Sequence, residues 1–165
     1  MNRNKHKILV LSDLKDNAKD TIAYAITIAK ELNGALELLC IRKPNEIVST
    51  HNQLSAIRNV NNEFIKTEQK AKTLVKSITK DDFFAVKNKI VFGNVKNEIE
   101  NHIQTSNPDI IIIGKKEKKR FNFNGDNVTG FILNKYNNKV FIANSTHISE
   151  VYAILHSKNS QGQTA

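Results

Sequence analysis

The amino-acid sequence predicts a three-layer α/β/α domain built around a parallel sheet of five strands. Short continuous apolar runs alternate with longer stretches whose apolar residues recur every three or four positions, the signature of successive strand–helix–strand units. One run, Ile110 to Ile113, consists wholly of β-branched residues, which suits a central strand covered on both faces. Because crossovers between parallel strands are right-handed, few other arrangements of these units remain.

The elements follow in order. A first strand from Lys7 to Ser12 runs into a polar turn where Asp16 or Asn17 can cap a helix. Along that helix Ala18, Ile22, Ala25, Ala29 and Leu32 form one apolar stripe, and Asn33-Gly34 stops it. Leu36 to Ile41 is the second strand, and Pro44 opens a loop. A long helix from about Gln53 to Thr79 places Leu54, Ile57, Val60, Phe64, Ala71, Leu74, Val75 and Ile78 on one side. The third strand is Val86 to Phe92. Asn94 then caps a helix that turns Val95, Ile99 and Ile103 inward. After Pro108-Asp109 and the fourth strand, a helix over Asn127 to Tyr136 brings Val128, Phe131, Ile132 and Leu133 to the core, and Val140 to Ala143 is the fifth strand. Residues 1–144 thus make one domain. The tail, 145–165, is expected to add one short strand at Val151 to Leu155 and then to be disordered, since it turns polar from Ser157.

Composition removes several function classes. No apolar run approaches the roughly 20 residues of a membrane-spanning helix. The basic start is followed only by Ile8-Leu9-Val10-Leu11 before Ser12-Asp13, too short for an export signal, so a cytoplasmic location is expected. Cys40 is the sole cysteine, which excludes an intramolecular disulfide and suits a buried small hydrophobe. The five histidines are dispersed, with no pair at metal-ligand spacing. Neither Gly-x4-Gly-Lys-Ser/Thr nor Gly-x-Ser-x-Gly occurs, and Asp13 has no carboxylate partner for acid–base work. Asp13 therefore either satisfies backbone donors in its turn or contacts a ligand. The formal charge of +9 is spread largely over lysines on solvated helix faces. Its densest part is Lys115, Lys116, Lys118, Lys119 and Arg120, beside Phe121 and Phe123. Such a loop supports weak, sequence-independent nucleic-acid binding at most.

Four segments carry a resemblance to a known family. They are the strand ending in Asp13, the helix Ala23-Tyr24-Ala25-Ile26-Thr27-Ile28-Ala29-Lys30-Glu31-Leu32-Asn33-Gly34-Ala35, the pattern Gly93-Asn94-Val95 leading to Glu98-Ile99, and Asn107-Pro108-Asp109 followed by Ile110 to Gly114. Over residues 5–144 the chain resembles the universal stress proteins. That resemblance implies a Rossmann-like sheet of order 3-2-1-4-5, of the adenine nucleotide alpha hydrolase-like type. It also implies a homodimer whose seam is strand 5, aided by Val151 to Leu155. Strands 1 and 4 would then meet at the switch point, where open α/β sheets bind ligands. In ATP-binding members, residues matching Ser12, Asp13 and Ile41 hold the adenosine, and a loop Gly-x2-Gly-x9-Gly-Ser/Thr holds the phosphates.

Only Gly114 of that loop is kept. Glu117 replaces the second glycine, and Asp126-Asn127 replaces the final Gly-Ser, followed by Val128-Thr129. Glycines let backbone amides approach phosphate oxygens, whereas carboxylates bring repulsion of roughly 1 kcal/mol at 4 Å in water and about 4 kcal/mol in a partly desolvated cleft. Lys115 and Lys116 are the candidate anion contacts. The resemblance therefore implies a non-catalytic stress-response regulator or scaffold, dimeric, with no cofactor and with protein partners that the sequence does not name. The alternatives are weak binding of ATP or AMP as a nucleotide-dependent switch, and nucleic-acid binding through 115–120.

Overall fold

A computed structural model describes residues 5–15, 17–44, 52–80, 84–115 and 127–161, with side chains as far as Ser157. Its sheet has five parallel strands, β1 (Lys7–Leu11), β2 (Ala35–Arg42), β3 (Val86–Phe92), β4 (Ile110–Ile113) and β5 (Val140–Ile142), in the order β3-β2-β1-β4-β5. Four helices alternate with them as the periodicity predicts: α1 (Ala18–Glu31), α2 (Gln53–Thr79), α3 (Val95–Ser106) and α4 (Val128–Tyr136). No described helix is long and apolar enough to cross a membrane.

Alternation along the strands feeds two cores. Ile8 and Val10 of β1 face the layer of α1 and α2, together with Leu36, Leu38 and Cys40 of β2 and Ile110 and Ile112 of β4. Leu9, Leu39, Ile111 and Ile113 face the layer of α3 and α4, where Ile99, Ile103 and Ile132 meet them. All four isoleucines of β4 are buried. Each fully buried isoleucine contributes about 1.5–3 kcal/mol relative to exposure, so this strand is the centre of the fold energetically as well as geometrically.

Local signals explain the helix ends. Asn94 accepts from the Asn97 amide at 3.2 Å and Asn127 from the Gly130 amide at 2.9 Å, both as N-caps. Asn107 ends α3 in the left-handed region at φ 45°, a conformation asparagine tolerates. At α1 the outcome differs from the expected cap. Asn17 stands at the N-cap position without a side-chain bond to the helix, and Asp16 lies outside the described residues.

A further expectation changes. The segment expected as a short strand, Val151 to Leu155, is helical, inside α5 (Ile148–Gln161). Its apolar residues Ile148, Val151, Ile154 and Leu155 recur at helical spacing, and Val151 is fully buried in the core shared with α1 and α2. Tyr152 Oη donates to the Glu31 carbonyl at 3.1 Å and Tyr24 Oη to the Thr146 carbonyl at 2.8 Å, tying the C-terminal segment to α1. The domain therefore extends past residue 144. On α2 the apolar side is not covered along its whole length, and Leu54 and Ile57 are 67% and 58% exposed. At 1.5 Å per residue a helix of 27 residues spans about 40 Å, nearly twice the length of the seven-residue β3 beneath it.

Candidate functional site

The carboxyl ends of β1 and β4 lie side by side. Leu11 pairs with Ile113, so the next residues, Ser12 with Asp13 and Gly114 with Lys115, border one crevice. Ile41 reaches it from the end of β2, and the first turn of α4 brings Val128 and Thr129. The described members of the expected set thus lie at the carboxyl end of the sheet. Lys116, Glu117, Asp126 and the stretch Lys118 to Phe123 fall outside the described residues.

The turn after β1 is held by its own side chains. Ser12 Oγ accepts from the Leu14 amide at 3.1 Å and Asp13 Oδ1 from the Lys15 amide at 3.0 Å. These bonds hold Leu14 at φ 58°, a conformation a branched side chain rarely adopts, while its side chain is buried in the core. The two readings of Asp13 are therefore compatible. One carboxylate oxygen serves the turn, and the residue as a whole remains exposed.

Asn17 and Thr21 play parts that sequence reasoning did not assign. Asn17 Nδ2 donates across the crevice to the Lys115 carbonyl at 3.3 Å, linking the loops after β1 and β4. Thr21 Oγ1 donates to the Asn17 carbonyl at 2.9 Å and packs against Gly114 so closely that a Cβ there would lie 2.7 Å from the hydroxyl. Gly114 is thus needed by the approach of α1, independently of any phosphate. The available signal was the polar pair at i and i+4, Asn17 and Thr21, at the start of a helix beside the switch point.

The crevice offers binding chemistry. Ile41 and Val128 are half-buried apolar walls, and Asp13 is an acceptor for hydroxyl or amino groups. At the start of α4 the amides of Val128 and Thr129 have no carbonyl partner within the helix, whereas the Gly130 amide is taken by Asn127. Among the described residues no cluster of His, Cys, Asp or Glu could hold a metal ion. Cys40 lies in the sheet interior, where burial pushes its thiol up to about 11; the neutral thiol is a poor nucleophile.

His102 is buried on α3 with its Nε2 3.0 Å from Glu37 Oε2 of β2. Lys87 of β3 places its ammonium 3.2 Å from the other carboxylate oxygen. This trio lies between α3 and the sheet, away from the crevice.

Comparison with known proteins agrees with this architecture. The solved structure of the universal stress protein UspA from Lactobacillus plantarum superposes with a TM-score of 0.64 at 15% identity, covering 86% of this chain and 99% of that one. A universal stress protein in complex with cAMP gives 0.59 at 14% identity, covering 87% and 98%. One from Archaeoglobus fulgidus in complex with dAMP gives 0.55 at 14%, covering 83% and 96%. Among curated protein sequences none matches the chain. The model of the universal stress protein family matches residues 5–134. Since that match spans β1 through α4 and the strand order is the one the family resemblance implied, the chain belongs to the universal stress protein family.

Proposed function

We propose that the protein is a cytoplasmic, non-catalytic stress-response regulator or scaffold, which acts as a homodimer through protein contacts and binds adenine nucleotides only weakly. The observation that carries the nucleotide part is the cap of α4. Where ATP-binding relatives would offer a Gly-Ser pair, Asn127 directs its own carboxamide oxygen to the Gly130 amide, so one of the donors at that helix end is already used. The adenosine end of the crevice, by contrast, retains Asp13 and Ile41 at the strand ends. Each charge-assisted hydrogen bond to phosphate that is missing forgoes about 1.5–3 kcal/mol. Two similar structures hold cAMP and dAMP, ligands with a single phosphate, which supports a site that reads the nucleoside and gains little from further phosphates.

Calorimetry with ATP-Mg, AMP and adenosine tests this. All three are expected to bind about equally, with dissociation constants above roughly 100 μM, or about −5.5 kcal/mol. Micromolar affinity for ATP that depends on its γ-phosphate and is lost in Asp13→Asn would refute the proposal and favour an ATP-dependent switch.

A further inference from the structure

On the other side of the β1–α1 turn, between the start of α1 and the middle of α2, lies a cleft of about 510 Å³. It shares no lining residue with the crevice. We propose that this cleft is a second binding site, for a small organic anion that carries phosphate groups on a body with an apolar face.

Four lysines converge on it from two elements, Lys15 and Lys19 at the entry to α1, and Lys66 and Lys70 on α2. The described residues that line the cleft include no carboxylate. None of the four lysines has a carboxylate within ion-pair distance among the described residues, although the same helix pairs Lys72 with Glu68, and Glu63 with Arg42 of β2. Beneath the charges, Leu14 and Ala18 are buried and Leu74 is half-buried, giving an apolar floor. Gln69, Thr73 and Ser77, at successive i and i+4 positions of α2, add a row of polar groups along one wall.

The arrangement is unfavourable for the empty protein. Lys66 and Lys70 stand four residues apart on α2, and a like-charge pair at that spacing on a helix costs about 0.2–0.5 kcal/mol. Lys15 and Lys19 also sit at the positive end of the α1 dipole, where an anion is favoured and a cation is not. A solvated helix face would relieve both by interleaving carboxylates, as α2 does at Glu68 and Lys72. An anion in the cleft removes both penalties at once. The volume lies within the roughly 300–1,000 Å³ of small-molecule sites, and lysine serves phosphate as a mobile point charge without demanding bidentate geometry.

The test is calorimetry on the full chain at low ionic strength with inorganic tripolyphosphate, for which substitutions of the cleft lysines separate the cleft from the crevice, and with 1-naphthyl phosphate against inorganic phosphate. Tripolyphosphate is expected to bind one per chain, and the double variant Lys66→Gln with Lys70→Gln to weaken it at least about tenfold, equivalent to about 1.4 kcal/mol. Lys76→Gln with Lys80→Gln removes the same charge from the same helix region outside the cleft and should change affinity by less than about twofold, the level expected of screened surface charge. 1-Naphthyl phosphate should bind more tightly than inorganic phosphate, because its ring covers Leu14, Ala18 and Leu74. Without ligand, the Lys66/Lys70 variant should melt higher than the wild type, since it loses only repulsion. Equal weakening by the two double variants, or the absence of binding at millimolar tripolyphosphate, overturns the proposal.

Discussion

Glu37 shows how a single residue's role depends on partners that sequence reading cannot align. The sequence shows Glu37 inside an apolar run and His102 beside the inward face of a helix, 65 residues away. What joins them is the packing of α3 over β2, and the register that sets Lys87 opposite Glu37. Burial by itself would raise the Glu37 carboxyl, but the hydrogen bond to His102 and the Lys87 ammonium outweigh it and hold the carboxyl below its ordinary value of 4.5. A depressed carboxylate stabilises the fold fully above its unfolded pKa, and that contribution is lost as pH falls through the folded value. Glu37→Gln is therefore expected to flatten the dependence of stability on pH below about 4.5 and to cost about 1–3 kcal/mol at neutral pH, because the bond to His102 loses its charged acceptor and Lys87 its ion pair. Denaturant midpoints measured from acid to neutral pH check both. The crevice residues were easier to read. Asp13 and Gly114 end apolar runs, and a strand end is visible in sequence as the point where the run stops.

At the scale of elements, legibility follows periodicity. The uninterrupted isoleucines of β4 admit one environment, and the caps Asn94 and Asn127 stand just before apolar stripes, so these elements were readable. The C-terminal helix was misread because Val151 to Leu155, taken as an isolated five-residue run, fits a strand as well. Only with Ile148 included does the spacing of three and four residues emerge. The exposure of the overhanging start of α2 was not legible for a different reason. Its periodicity is sound, but the length of the sheet beneath it is a tertiary fact. Since Val151 is fully buried, Val151→Ala should cost about 2 kcal/mol in chemical denaturation, whereas a loosely attached tail would leave the midpoint unchanged. Ala153→Pro, on an exposed position of the same helix, should cost about 3 kcal/mol by breaking α5 itself.

For the molecule as a whole, the strand order leaves β3 and β5 as edges. In β5 the Ala143 amide donates to Ile113 and the Lys139 carbonyl accepts from Ile111. By alternation the amides of Val140 and Ile142 point to the free side, and an unpaired edge of that kind invites a second chain. Sedimentation at tens of micromolar is expected to show a dimer, and Ile142→Pro, which removes an outward donor while sparing the bonds to β4, should shift it toward monomer. A monomer in the wild type would refute the β5 seam. The binding of α5 to α1 has a further consequence for the order of assembly. Tyr24 and Thr146 are 122 residues apart, and Glu31 and Tyr152 are 121 apart, so the core around α1 is completed by residues synthesised after all five strands. A chain still emerging from the ribosome can pair β1, β2 and β3 early, but it leaves the surface later covered by Val151 in contact with water until α5 has followed β5. Contacts of such high sequence separation slow the closing step. The nascent chain therefore passes through an interval in which a nearly complete sheet lacks part of its cover, and this is when a chaperone would have most to bind.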